Sequence, residues 1–478
     1  MNLSRRSFMG GAFAAGILTG CRSAVVRVPA GSSEPNAPKL RLGVMSDIHV
    51  YHGGDGTDNL ESALLWFREQ DVDGVVCSGD LAHLGDIREL RDVGRIWDKV
   101  FPKGRGRDGR RVEPLFIYGN HDFWFRGNRG VGAAPIDHAA AWKEVFHEDY
   151  APIWKKTVKG YVFIGAHWDQ DDSLGKGNRA VAITPRGLKA FMAKEGPGLP
   201  KDRPFFYIQH PHPKDSCFTG ASWTDEGTST AILSAYPNAV ALTGHSHYSL
   251  TDERSVWQGA FTSIENGSMR YTSVPDYDVP GGFENAGGGE SGAKMMNELM
   301  TCNVAHGMLM DVYDDHLHIH RRDFFYGRPL GDDWIVPLPA RASGPLDYAD
   351  RADDSNPPDF PDGTEVSMIR FVKGKNRKGE QRRALAVTFP CCPIVSGRRA
   401  FGYEVRVVGP NGELARKNVV DPVFNQPKVR AIRDWVSFMT DAEDWPDGAE
   451  VHVEIRPFNC WHRFGGKLVS GTVTVKKF

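Results

Sequence analysis

Five short polar motifs stand out in this 478-residue chain for residue types that bind metal ions. Asp47-Ile48-His49, Gly79-Asp80, Gly119-Asn120-His121-Asp122, Gln209-His210-Pro211-His212-Pro213 and Gly244-His245-Ser246-His247 occur in that order, each after an apolar run. Alone, a D-x-H is a surface coincidence and a G-D is a turn. Together they gather oxygen and imidazole donors, which suit Fe, Mn, Zn, Co or Ni rather than a thiolate-only site. The donors exceed what one ion needs. A carboxylate such as Asp80 can bridge two ions about 3.5–4 Å apart, and such a pair acidifies a shared water. It also neutralises charge growing on a reacting phosphate. The motif glycines permit the tight turns that aim the donors at one point.

These motifs need strands to carry them. Leu40 to Met45, Val72 to Cys77, Pro114 to Tyr118, Tyr161 to Ala166, Pro204 to Gln209 and Ala239 to Thr243 read as buried strands. Helical periodicity covers Leu60 to Arg68 and Ile87 to Val100, and helices are expected over 137–149, 184–195 and 228–235. Strands alternating with helices predict an α/β layered fold with its site beyond the carboxyl ends of the strands. Val256 to Ile264 and Gly307 to His320 read as further strands, with a Gly-rich loop at Pro280 to Gly292. His316, His318 and His320 alternate along one of them. The first reading is a half-exposed strand face, and a metal site is the alternative.

The order D-x-H, G-D, G-N-H-D, H, G-H-x-H resembles that of the calcineurin-like metallophosphoesterase superfamily, over residues 40 to roughly 330. The resemblance implies a four-layer α/β/β/α sandwich with a dinuclear centre of two divalent or trivalent transition-metal ions. One ion would be held by Asp47, His49, Asp80 and His247, and the other by Asp80, Asn120, His210 and His245. A hydroxide shared by the ions would attack phosphorus, with His121 at the phosphate or leaving oxygen and Asp122 orienting His121. His210 directly follows its strand and is favoured over His212 as the ligand. His83 stands where purple acid phosphatases carry a metal-binding Tyr, so an iron-tyrosinate centre is not expected. Phosphodiester or nucleotide-type substrates are preferred over monoesters, and a degenerate surface binding protein is the rival class.

Phe123-Trp124-Phe125-Arg126, with Arg129 nearby, would sit at the mouth of such a site. It would contact the leaving group or the phosphate, or else pack the loop against the core. His52 reads as a hydrogen bonder behind the ligands.

The N-terminus reads as an address. Ser4-Arg5-Arg6-Ser7-Phe8-Met9 before a Gly/Ala-rich apolar stretch resembles a twin-arginine signal over 1–20, and Leu18-Thr19-Gly20-Cys21 resembles a lipobox. Residues 21–39 would be a flexible tether behind a lipidated Cys21. An exported, periplasmic or cell-surface, lipid-anchored protein is expected.

A catalytic unit at 40–338 precedes a linker at 339–364 and an all-β, immunoglobulin- or fibronectin-like sandwich at 365–478. Alternating runs mark this last part at Ala384 to Phe389, Gly402 to Val408, Val451 to Ile455 and Leu468 to Val475. It carries 20 basic and 12 acidic residues. Its Phe458, Trp461 and Phe464 read as packing residues. With 58 basic and 60 acidic residues, the whole chain is near neutral. That balance argues against general nucleic-acid binding. Seven cysteines are too few for a disulfide scaffold. Cys77 reads as a core residue, and Cys391 or Cys392 is a possible partner for Cys460.

Overall fold

The computed structural model describes residues 37–54, 56–125, 131–169, 185–218, 223–275, 298–301, 303–341, 346–375, 380–395, 398–426 and 434–476. The signal, Cys21, the Gly-rich loop, Arg126, Arg129 and Cys302 lie outside them. The first half contains β1 (Leu40–Met45), α1 (Thr57–Glu69), β2 (Gly74–Cys77), α2 (Ile87–Val100), β3 (Glu113–Phe116) and α3 (His138–Phe146). These are followed by β4 (Ile153–Val158), β5 (Tyr161–Ala166), α4 (Leu188–Glu195), β6 (Phe205–Ile208), α5 (Thr228–Leu233) and β7 (Ala239–Thr243). Next come β8 (Val256–Gln258), β9 (Thr262–Glu265), β10 (Thr272–Pro275), β11 (Glu298–Thr301), β12 (His306–Val312), β13 (His316–Asp323), β14 (Arg328–Pro329) and β15 (Trp334–Pro337).

Two large sheets and the two-stranded ribbon β10-β11 arise from these strands. One runs β14-β13-β12-β1-β2-β3, with β15 on β13; the other runs β4-β5-β6-β7-β9-β8. Parallel pairing joins β1 to β2 and β2 to β3 in the first, and β5, β6, β7 and β9 in the second. Their short apolar runs suit strands covered on both faces. Leu42, Val44, Val76 and Ile117 meet Phe163, Phe206, Val240 and Leu242 in one buried layer between the sheets. On the outer side of the first sheet, Phe67 of α1, Leu90 and Trp97 of α2 and Trp142 of α3 pack with Val75 and Phe116. On the outer side of the second, Leu188 and Met192 of α4 and Leu233 of α5 pack with Ile164 and Tyr207. The order is helices, sheet, sheet, helices.

Local chemistry sets the boundaries. α2 opens on a capping box, in which Asp86 and Glu89 satisfy free N–H groups of the first turn. Two strands read as continuous are hairpins. Val256 to Ile264 breaks at Gly259-Ala260 into antiparallel β8 and β9, and Gly307 to His320 turns at Tyr313 to Asp315 between β12 and β13. Small apolar residues hide the first turn, whereas exposed Asp314-Asp315 marks the second.

The segment 339–364 carries α6 (Tyr348–Asp354), capped by Asp347. It is anchored to the α/β unit: the Tyr348 hydroxyl donates to the Arg254 carbonyl, and Arg351 donates to the carbonyls of Val256 (2.7 Å) and Glu253 (2.5 Å). Beyond it lie β16 (Met368–Lys375), β17 (Gln381–Pro390), β18 (Gly402–Gly409), β19 (Gly412–Val420), β20 (Trp435–Asp441), β21 (Glu450–Phe458), β22 (Leu468–Val469) and β23 (Val473–Thr474). They form antiparallel sheets β16-β17-β20 and β19-β18-β21-β22. Leu385, Val387 and Phe438 face Val405, Val407 and Val453 across a core of their own. The C-terminal part is a separate all-β unit.

Cys391, Cys392 and Cys460 are free thiols. Cys392 belongs to the sandwich core, whereas Cys460 packs with Phe401 and Phe458 in another cluster, so the considered pairing is not made. Phe458, Trp461 and Phe464 pack against Phe401, Tyr348 and Phe458 respectively. Among the described residues, no helix is long and apolar enough to cross a membrane.

The Phe67 ring is seated on the bare face of Gly43, where an added Cβ would fall 2.5 Å from it. Phe67→Ala should therefore destabilise the α/β unit by about 3–5 kcal/mol, read as an earlier urea transition. A loss below about 1 kcal/mol would show that the layer re-packs.

Candidate metal centre

The ends of β1, β2, β3, β6 and β7 converge at the seam between the sheets, and each delivers donors. Asp47 and His49 follow β1, Asp80 follows β2, Asn120 follows β3, His210 follows β6, and His245 and His247 follow β7. Five of these residues sit in the left-handed region, with φ of 52° at Asp47, 48° at His49, 52° at Asp80, 73° at His245 and 58° at His247. That conformation costs about 1–2 kcal/mol per non-glycine residue. Its concentration at one point marks a functional turn set. Backbone bonds hold the turns: Asp47 N–H donates to Gly79 (3.1 Å), His49 N–H to Asp80 (2.9 Å), and Gly244 N–H to His210 (2.8 Å). Gly79 has φ 107°, and a Cβ there would stand 2.5 Å from His210 Nδ1. A Cβ at Gly244 would stand 2.4 Å from Asp47 Oδ2.

Asp80 Oδ2 lies between two imidazoles, 3.5 Å from His49 Nε2 and 3.4 Å from His210 Nε2. Asp47 Oδ1 lies 3.1 Å from His247 Nε2, 3.8 Å from His49 Nε2 and 3.9 Å from His210 Nε2. His49 Nε2 and His247 Nε2 are 3.0 Å apart, and Asn120 Oδ1 is 3.0 Å from His210 Nε2. The His245 ring packs 4.7 Å from that of His210, and its backbone N–H donates to Asp47 Oδ2 at 3.0 Å. All seven predicted donors are thus brought together. His210 Nδ1 faces the Ser78 carbonyl (2.6 Å) and His247 Nδ1 faces that of Tyr271 (3.1 Å). Each carbonyl fixes the tautomer that leaves Nε2 free for a metal.

Residues 40–249 match the family described as calcineurin-like phosphoesterase. They form a calcineurin-like phosphoesterase domain. The domain defines the enzyme class as phosphoester hydrolase. Among solved structures, the chain is similar to a dimetal phosphatase from Danio rerio at 12% identity and TM-score 0.39, covering 63% of this chain and 99% of that one. It is also similar to a purple acid phosphatase from yellow lupin seeds, at 13% identity and TM-score 0.39, covering 65% and 54%. A third is the NAD nucleotidase of Haemophilus influenzae, at 12% identity and TM-score 0.27, covering 72% and 53%. No curated protein matches the sequence.

The phosphoesterase domain has the electrostatics of a cation site. Asp47 Oδ1 is buried with no hydrogen bond of good geometry, its nearest imidazole atom being His247 Nε2 at 3.1 Å, an arrangement that suits an ion between the two. Burial, with neighbouring imidazoles, pushes His49 and His245 well below the usual histidine range. Burial also acts on His210, but Asp80 and Asp47 outweigh it and raise that imidazole to about 9. Burial pushes Asp80 up, and His210, His121 and His49 outweigh it, leaving the carboxylate well below its usual value. Mixed oxygen and imidazole donors, the depressed Asp80 carboxylate and tautomers set for Nε2 coordination fit two transition-metal ions.

Other predicted positions fall differently. His212 is turned away from the donors: its ring bonds Thr243 Oγ1 and Ser246 Oγ, both at 2.9 Å, and meets the buried Glu265 at 3.0 Å. His52 is on the surface and pairs with Asp92 of α2 at 2.7 Å rather than with a candidate ligand. Asp122 does not orient the His121 ring. Its carboxylate accepts N–H groups from Gly119 (2.7 Å), Ala82 (2.7 Å) and Leu81 (3.3 Å), tying two motif loops together. His121 Nδ1 instead faces the His83 carbonyl at 2.8 Å. Phe123 stacks on His138 at 3.8 Å and packs its loop, while Trp124 lies 5.0 Å from His121.

Sequence reasoning marked His83 only by its position and did not place the other groups below at the site. The His83 ring stacks on His121, and its Nδ1 lies 3.3 Å from His49 Nδ1. Trp168 and Trp223 flank His245, and Tyr271 stacks on His247 at 4.1 Å. Arg270 donates to the His49 carbonyl at 3.1 Å. The one legible signal was position: Trp168 and Arg270 also follow strand ends.

The buried charges fix a pH dependence. His210 binds its proton up to about 9 when folded, against an ordinary 6.5, so this contribution to stability is full below 6.5 and lost as pH rises through 9. Burial and Asp80 raise Asp122 from 3.8 to about 8, so its ionisation lowers folded-state stability across that interval. The melting temperature of the chelator-treated protein should fall between pH 6.5 and 9, and added Mn²⁺ should reverse the fall. A midpoint that is flat or rising over this window contradicts the assignment.

Proposed function

We propose that the protein is a dinuclear metal-dependent hydrolase of phosphate esters with a leaning to diester or nucleotide-type substrates. The observation that carries this reading is Asp80, whose single oxygen Oδ2 faces His49 on one side and His210 on the other. Asp47, His49, Asp80 and His247 would hold one ion, and Asp80, Asn120, His210 and His245 the other. When bound, such a pair activates water and neutralises phosphate charge. The chain's own groups do the remainder. His121, its Nδ1 at the His83 carbonyl, would hold Nε2 toward the leaving oxygen. Asp122 fixes the loop on which His121 stands.

The diester leaning rests on the rim. Trp124, Trp168, Trp223 and Tyr271 are partly exposed and border His121, His245 and His247. Aromatic faces suit the ring-bearing or apolar second ester group that a diester has and a simple monoester lacks. Arg270 would supply charge near the phosphate. Export and a lipid anchor at Cys21 complete the proposal on the N-terminal sequence alone, placing a phosphate-ester substrate outside the cytoplasm and at a membrane surface.

Hydrolysis of a chromogenic diester and its monoester in Mn²⁺ tests the chemistry. Asp80→Asn should abolish turnover of both, and His121→Ala should slow it about 10²–10⁴-fold. Wild-type rates in Asp80→Asn would sink the centre, and faster monoester cleavage would make the protein a phosphatase. For the anchor, Cys21→Ala should move the protein from the membrane to the soluble fraction of its native host. An unchanged distribution rejects lipidation at Cys21.

A further inference from the structure

A second group of donors lies on the first sheet, sharing no residue with the centre above. Leu317 and Ile319 of β13 point into the layer between the sheets, so His316, His318 and His320 face the other way. His316 pairs with Asp315 (2.7 Å) and stacks on Tyr313 (4.4 Å). The other two converge on one atom. Asp333 Oδ2 lies 2.9 Å from His318 Nε2 and 2.8 Å from His320 Nδ1. Asp333 comes from the turn before β15, one step beyond the pair Ile319–Trp334. The two rings lie 4.3 Å apart.

We propose that His318, His320 and Asp333 form an additional site for one divalent transition-metal ion of the Zn²⁺ class. Two imidazoles and a carboxylate with an open fourth position are a donor set that zinc takes. One donor atom from each residue lies within 4.8 Å of the others. A tetrahedral ion with bonds of 2.0–2.2 Å needs donors about 3.3–3.5 Å apart, so the two hydrogen bonds to Asp333 open only slightly to admit it. The side chains of His318 and Asp333 are 25% and 40% exposed, which leaves a path for entry. Behind His320, its second nitrogen lies 3.9 Å from Asp311 Oδ2. Arg41 grips Asp311 through two bonds, at 2.6 and 2.7 Å. At that distance the carboxylate acts on the ring through its charge rather than a hydrogen bond, and it favours positive charge there.

An ion here would clip the turn before β15 to β13. That turn is also gripped from the β-sandwich unit, where Arg399 donates to the Leu330 carbonyl at 2.6 Å. Arg321 donates to the Asp332 carbonyl at 3.0 Å. The ion's role would therefore be to steady the seam between the units.

The test is zinc content per chain in untagged full-length protein, stripped with chelator, reloaded with Zn²⁺ and desalted. His318→Gln/His320→Gln keeps amide donors for Asp333 and should carry one equivalent fewer than wild type. Asp333→Asn should lose the same equivalent. Both should keep the wild-type circular dichroism and Mn²⁺-dependent diesterase rate. The Asp80→Asn variant should still carry the equivalent that the double variant lacks, which separates this site from the dinuclear centre. Equal zinc in wild type and both variants overturns the proposal, as does a wild type that binds none.

Discussion

Asp47 and Asp80 face one another's histidines with no access to solvent, and Asp47 Oδ1 has no hydrogen bond of good geometry. Two carboxylates in so dry a place need positive charge nearby. In the metal-free chain the surrounding imidazoles supply it, His210 and His247 foremost, since both are raised while His49 and His245 are pushed well down. The rest of the architecture serves this constraint. Strand ends are brought to one seam, carbonyls of Ser78 and Tyr271 set ring tautomers, and left-handed turns tip the donors inward.

Those turns are unfavourable in isolation and are held by their surroundings. Each follows a strand paired on both sides or packed between layers, and backbone bonds such as Asp47 to Gly79 lock one loop to the next. Asp122 contributes from beneath, binding three amides of two loops with one carboxylate. The centre is thus a property of two sheets jointly, and neither sheet alone contains it.

Much of this was legible in the sequence because its signals are local. β1, β5, β7 and α2 have the boundaries their apolar runs and caps define, and the seven predicted donors meet at strand ends. What escaped was set by tertiary contact. The break at Gly259-Ala260 is hidden between buried Gln258 and Phe261, whereas exposed Asp314-Asp315 was a local turn signal inside a run read as one strand. The link between Asp122 and backbone amides, rather than the neighbouring imidazole, depends on how two loops cross. Tyr271 carries no motif, and only folding stacks it on His247; the spacing after Gly79-Asp80 marked His83, but not its stacking on His121.

The apolar layer between the sheets acts as a gauge block. Asp47, His49, Asp80 and Asn120 ride on one sheet, while His210, His245 and His247 ride on the other, and Val44, Val76, Phe206 and Leu242 fill the gap. The thickness of those side chains sets the span across which the two halves of the ligand set meet. Hydrocarbon bulk far from any polar atom therefore tunes the proposed metal centre, and a change of volume in that layer would shift the candidate donors without replacing one of them.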